Sequence, residues 1–197
     1  MPRGITGKGL ATRRRIIEGA AQVMRDHGAA ATGLDDIRAV TATSSSQLFH
    51  YFPGGRSELM LAVAAYEADQ ILLEQQPHLS ELTSWASWQA WAAHLLEHYE
   101  QQRERCGLSA LIGQMDPNDP AVRQIVVSMY GRWEQALVRG IRVMQAAGEF
   151  AGSLDPGQAA AALLAAIQGG VVMMLATGSS AYLRAALGAS LGNLRGS

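Results

Sequence analysis

Apolar residues recur at helical spacing along most of the chain. Ile16, Ile17, Ala20, Ala21 and Met24 share one face of a segment from Thr12 to His27. Arg13, Arg14, Arg15, Glu18, Gln22 and Arg25 occupy the rest of its circumference, and Gly28 is a natural stop. Leu34, Ile37 and Val40 repeat at i, i+3, i+6 among Asp35, Asp36 and Arg38, which predicts a short second helix. Thr41-Ala42-Thr43 breaks that period. Ser44 then serves as N-cap for a third helix, about Ser45–Tyr51, which carries Leu48 and Phe52 inward and is closed by Pro53-Gly54-Gly55. Two short helices around a three-residue turn form the helix-turn-helix layout, whose second helix enters the DNA major groove.

A fourth helix begins near Arg56 or Ser57 and runs to about Leu73, with Leu59, Val63, Tyr66 and Gln70 in line. Pro77 ends that run, and a long helix follows from about Ser80 to Arg105 with Trp85, Trp88, Trp91, Leu95 and Tyr99. Cys106-Gly107 separates it from a short helix over Leu108–Met115. Asp119 then caps a helix that has Pro120 at its first position and stops near Ala147. Asp155-Pro156 repeats this start before Gly157–Ala176, and a last helix spans about Ala181–Leu191. No segment alternates apolar and polar residues between turn signals. The fold class expected is all-α, with nine helices.

With 48% of its 197 residues apolar and 17% charged, the chain has the composition of a folded protein. Its single cysteine, Cys106, excludes an intrachain disulfide and suits a reducing compartment. The basic N-terminus lacks a following apolar stretch, so no secretory signal is expected; Met1–Leu10 reads as a mobile basic arm. Charge is unevenly spread. Residues 1–56 hold eight Lys/Arg against four Asp/Glu, whereas residues 57–197 hold eight against thirteen. A basic head on an acidic body suits a polyanion bound at one end.

The third helix presents Ser45, Ser46, Gln47 and His50 as short or flexible polar side chains. Gln can bond adenine bidentately at N6 and N7, and Ser can serve a base or a phosphate. A helical hairpin that only packs would show the same spacing; the basic head favours DNA. His94-Leu-Leu-Glu97-His98 matches an H-x-x-E-H string, which sets two imidazoles one turn apart as zinc would require. No third ligand is evident, and a solvated helix face is the simpler reading. Ala159–Ala176 has only Gln168 strongly polar, but Ala and Gly add little hydrophobicity and no cation flanks its start, so a packed helix is expected there and not a membrane span. Trp85, Trp88, Trp91, Met115, Met129, Trp133, Met144, Met173 and Met174 supply many soft or aromatic groups. Each suits a core, and together they suit a roomy apolar pocket with Gln114 or Gln168 as polar anchors.

The stretch TGLDDIRAVTATSSSQLFHYFPGGRSEL, the basic helix before it and the helical residues behind it resemble a TetR-family transcriptional regulator. The family pattern S-x-G-x-L-Y-x-H/Y-F stands here as Ser44-Ser-Ser-Gln-Leu48-Phe49-His50-Tyr51-Phe52, followed by Arg56-Ser-Glu58-Leu59. The double glycine after Pro53, the Gly-Gln-Met-Asp-Pro turn and AAIQGGVVMM further resemble the LmrA/YxaF-like branch. Three positions depart from the pattern: Ala42 stands where Gly is usual, Thr43 where an apolar residue plugs the turn, and Phe49 where Tyr contacts a phosphate.

The resemblance implies a head over residues 1–55 and a ligand-binding, dimerising body over 56–197. Thr32, Tyr51 and Arg56 would hold phosphates. Ser45, Ser46, Gln47 and His50 would face the groove, with Ser44 beside them. Trp85, Trp88, Met115, Met129, Trp133 and Gln168 would line a site for a small, largely apolar effector. The implied protein is a cytoplasmic homodimer, joined through its last two helices and bound to a palindromic double-stranded operator, most simply as a repressor. No cofactor and no catalysis are expected. A zinc hydrolase using His94, Glu97 and His98, or a helical interaction module without DNA binding, are the rival classes.

Overall fold

A computed structural model describes residues 7–102, 113, 115–116 and 118–196. Among the described residues are eight α-helices and no strand. They are α1 (Gly7–His27), α2 (Leu34–Val40), α3 (Ser45–Tyr51), α4 (Gly55–Leu73), α5 (Trp85–Gln102), α6 (Pro120–Ala146), α7 (Pro156–Thr177) and α8 (Ala181–Arg195). A single 3-10 turn, His78–Ser80, precedes α5. The all-α expectation holds. The short helix expected over 108–115, together with Cys106 and Gln114, lies outside the described residues.

Helix boundaries follow their caps. α6 and α7 begin where expected: Asp119 Oδ1 accepts from Ala121 N–H at 2.8 Å, and Asp155 Oδ1 accepts from Gln158 N–H at 2.8 Å. α5 starts at Trp85 and not near Ser80. Ser84 Oγ accepts from Ser87 N–H at 3.1 Å, while Ser87 Oγ accepts from Ser84 N–H at 3.0 Å, a reciprocal cap that fixes the first turn. α1 reaches back to Gly7, with the Thr12 hydroxyl bonded to Lys8 O at 3.0 Å inside the added turn. Part of the expected basic arm is therefore helix. α8 continues to Arg195 because Leu194 extends the buried stripe of Leu183, Leu187 and Leu191.

The described residues divide into two compact units, one built on 7–70 with the segment ending at Val127, the other on 71–102 and 128–196. In the first unit, Ile16, Ala20, Ile37, Leu48, Phe52, Leu59 and Val63 are the fully buried side chains that join α1 to α4. Fully burying one such aliphatic side chain stabilises by about 1.5–3 kcal/mol.

The second unit has its own core. Trp88, Trp91 and Leu95 of α5 meet Trp133, Leu137, Ile141 and Met144 of α6 and the apolar stripes of α7 and α8. α7 is the one described helix long and apolar enough to cross a bilayer. Its stripe of Ala160, Leu163, Leu164, Ile167, Gly170, Val171 and Met174 is buried, and it packs mainly on α8. Gly170 allows this contact: a Cβ there would stand 2.7 Å from the Leu183 Cα. On the outer side of the pair, Val172, Met173, Leu175 and Tyr182 remain exposed.

Candidate functional site

The two short helices of the head are built from local chemistry. Asp36 Oδ2 accepts from Gly33 N–H at 2.8 Å, which starts α2. Ser44 Oγ accepts from Gln47 N–H at 3.2 Å and Gln47 Oε1 accepts from Ser44 N–H at 3.3 Å, a capping box that starts α3. Between them, Ala42 has φ +47, the left-handed region that an L side chain adopts at a cost. The turn thus holds a left-handed residue at a position where the chain carries alanine and not glycine. Thr43 is buried, with its hydroxyl 2.9 Å from Thr41 Oγ1 and 3.1 Å from Thr41 O, while Thr41 donates to Ile37 O at 2.7 Å. A hydroxyl plug therefore replaces the apolar one with its polar atom satisfied. Ala42→Gly is expected to stabilise the head by about 1 kcal/mol, read as a higher urea midpoint. No increase would mean that the turn carries no strain.

Leu48 and Phe52 anchor α3, both with no exposed surface. The Arg13 guanidinium lies over the Phe52 ring, 5.0 Å from its centroid, so a basic side chain of α1 is tied to the end of α3. Ser44, Ser45, Ser46, Gln47 and His50 are brought together at the surface. Tyr51 is half-buried, with its ring edge-on to His50. Phe49 is also exposed and presents no hydroxyl. It lines a hollow of about 490 Å³ with Gly33, Leu34, Asp35, Asp36, Arg38, Ser45 and Leu48.

Thr32 and Arg56 sit differently. Thr32 is buried and its hydroxyl donates to Gly28 O at 2.9 Å. Arg56 Nη2 donates to Ala29 O at 2.7 Å and Thr32 O at 3.3 Å, fastening the start of α4 to the loop before α2. Deeper along α4, the nearly buried Glu67 carboxylate pairs with Arg25 of α1. Sequence reasoning missed both Arg13 and Glu67. The only signal for Glu67 was a carboxylate on a helix face otherwise filled by apolar residues.

In the second unit, Trp88 and Trp133 are fully buried in the core and Trp85 packs against it, under Arg195 at 4.7 Å from its ring centroid. Met129 is buried on α6, and Gln168 is half-buried on α7. Met115 belongs to the first unit and is half-buried. Trp91 Nε1 donates to Gln75 Oε1 at 3.0 Å, and Gln75 Nε2 in turn donates to Ile71 O at 2.9 Å. The indole N–H groups of Trp88 and Trp133 have no partner among the described residues. An unmet buried donor costs about 1–3 kcal/mol.

The H-x-x-E-H string is spent on structure. His94 Nε2–H donates to Glu74 O at 2.8 Å, His98 Nε2 lies 3.3 Å from Glu74 Oε2, and Glu97 accepts from Gln101 at 3.0 Å. Among the described residues no group of three or more candidate ligands could hold a metal. Burial holds the His98 pKa below the usual imidazole value, with Glu74 opposing and His94 adding to the depression. Unfolded His98 therefore takes up its proton first as pH falls through the imidazole range. Stability is lost until folded His98 protonates too. The urea midpoint is expected to drop as pH falls through the ordinary imidazole value of about 6.5, and to drop less in His98→Gln. Equal drops would exclude His98 as the titrating group.

A basic head with a capped two-helix reader, joined to an all-helical body, defines a helix-turn-helix DNA-binding regulator. The model for "Bacterial regulatory proteins, tetR family" matches residues 16–63, and that for "Tetracyclin repressor-like, C-terminal domain" matches 85–189, more than half of the chain. The chain belongs to the TetR family, whose members are transcription regulators and not enzymes. An uncharacterized HTH-type transcriptional regulator of Mycobacterium tuberculosis is 32% identical over 59 residues, which is 30% of this chain and 30% of that relative. Three solved structures share the fold. A TetR regulator from Haloarcula marismortui has a TM-score of 0.79 at 14% identity and covers 94% of this chain and 97% of its own. A TetR regulatory protein from Rhodobacter sphaeroides has a TM-score of 0.74 at 16% identity, covering 92% and 98%. SmeT in complex with triclosan has a TM-score of 0.68 at 19% identity, covering 92% and 90%.

Proposed function

We propose that this protein is a cytoplasmic, ligand-responsive repressor of the LmrA/YxaF-like branch, acting as a homodimer on a palindromic operator. The observation that carries the reading is the surface of α3, where Ser45, Ser46, Gln47 and His50 are exposed on a helix pinned by Leu48 and Phe52. The head is residues 1–55 and the body 56–197. Two recognition helices related by the dimer axis enter successive major grooves about 34 Å apart. The exposed Val172, Met173, Leu175 and Tyr182 support pairing through α7 and α8. A small, largely apolar effector in the body lowers operator affinity only by binding the non-DNA-binding state better. The SmeT–triclosan complex supports a ligand of that size and polarity.

A gel shift with the DNA upstream of the protein's own gene tests the reading, since specific binding must depend on sequence and weaken steeply with salt. Gln47→Ala is expected to relax base preference at one operator position by about 1–3 kcal/mol. Arg56→Ala is expected to weaken binding to all sequences alike, through lost phosphate contact and through the lost tie to Ala29 O and Thr32 O. Arg56→Lys keeps the charge without the fork. If Arg56→Lys binds as wild type does, charge is the larger part of the role. If Gln47→Ala lost affinity evenly and Arg56→Ala lost preference, the roles would be reversed.

A further inference from the structure

We infer that the body takes an uncharged ring compound bearing a hydrogen-bond acceptor, and that the Trp88 and Trp133 indole N–H groups are its polar anchors. This rests on the reading of the body as an effector domain. Both side chains are fully buried, and neither N–H has a partner among the described residues. The same core meets this requirement elsewhere, where Gln75, itself nearly buried, accepts from Trp91 at 3.0 Å. A Phe would fill either position without presenting an unmet donor, so the two indoles retain a polar atom that no described residue uses.

Trp133 is on α6, and Trp88 of α5 packs against the same helix. The Trp88 ring edge next to its N–H, at Cζ2, is 3.0 Å from where a Cβ would stand on Gly140. Trp133 lies seven residues earlier on the same helix, two turns or about 10 Å along the axis. Met129 stands one turn before Trp133, and the buried Met144 stands one turn after Gly140. Methionines have three rotatable bonds and a polarisable sulfur, so they can shift to admit a flat guest beside an indole. Among the described residues of this unit, Gln75 and Tyr99 are, besides the tryptophans, the buried side chains with a polar atom, and no buried side chain is charged. A carboxylate or phosphate guest would be buried unpaired, which selects a neutral carbonyl or ether oxygen.

The test pairs 9-fluorenone with fluorene, which share a shape and differ in the carbonyl, using the full-length protein. Fluorenone is expected to bind about tenfold tighter, as one added hydrogen bond would give. Trp88→3-benzothienylalanine and Trp133→3-benzothienylalanine replace each N–H by sulfur at nearly constant shape. At least one of the two should bring the two affinities within about threefold of each other, and neither should lower the urea midpoint of the ligand-free protein. Trp133→Phe, read for the same affinity ratio, gives a second measure. Equal binding of both probes, binding of neither, or a lowered midpoint in both isosteric variants would overturn the inference. The last result would mean that the N–H groups are already satisfied. Fluorenone that binds through the indoles yet leaves operator affinity unchanged would uphold the acceptor site and refute release by that ligand.

Discussion

Leu48→Ala is expected to cost the head about 2–5 kcal/mol and to abolish operator binding at concentrations that saturate the wild type. α3 has seven residues, too few to be helical alone, and Leu48 is the one buried residue within it. Its side chain has no exposed surface. Truncation leaves a cavity and leaves α3 held by the Ser44 cap and by Phe52 beneath Arg13. The backbone around the two helices is itself fixed by hydrogen bonds, so the site has little freedom to collapse. Urea unfolding followed by circular dichroism gives the energy, and a gel shift gives the function. A variant that binds operator normally would show that α3 is ordered by something other than this anchor.

Gly170→Ala is expected to destabilise the second unit by about 1–3 kcal/mol. In an exposed helix interior the change would gain about 1 kcal/mol of helix propensity. Here the new Cβ would stand 2.7 Å from the Leu183 Cα and 3.1 Å from Leu183 Cδ1. A side chain can rotate aside, but a backbone atom cannot, so α7 and α8 must separate. The neighbouring Gly169 is the control, because a Cβ there meets nothing within 4 Å. Gly169→Ala should therefore be neutral or stabilising in the same urea titration. If the two substitutions behaved alike, the close approach of α7 and α8 would not be limiting.

The eight described helices were largely legible in the sequence because their signals are local. Asp119-Pro120 and Asp155-Pro156 announce their own helices, and the spacing of Leu34, Ile37 and Val40 gives α2 directly. The start of α5 was misplaced because Ser84 and Ser87 cap each other, and a serine pair looks the same in a loop. The exposed polar face of α3 was legible for a related reason: with Leu48 and Phe52 inward, Ser45, Ser46, Gln47 and His50 are left at the surface. What could not be read are the long-range polar contacts. Nothing near Arg56 in sequence says that it reaches Ala29 O, twenty-seven residues away. Nothing near His94 and His98 says that both close on Glu74. Two indoles without a partner are equally invisible, since a donor's partner is set by the whole core.

If Gln47 reads bases as proposed, the capping box of α3 bears on how the protein would search DNA. Gln47 Oε1 accepts from Ser44 N–H, so the oxygen needed for a bidentate contact with adenine already holds the start of its own helix. On arbitrary sequence the amide would then stay home, with only its NH2 offered to the groove. At a fitting base pair the oxygen can leave Ser44 for the adenine N6 hydrogen. One hydrogen bond is exchanged for another at little net change, while Ser44 Oγ keeps Gln47 N–H in place. A guanine or thymine, which presents only acceptors in the major groove, would offer no such exchange. Sliding and stopping would then be two settings of a single side chain.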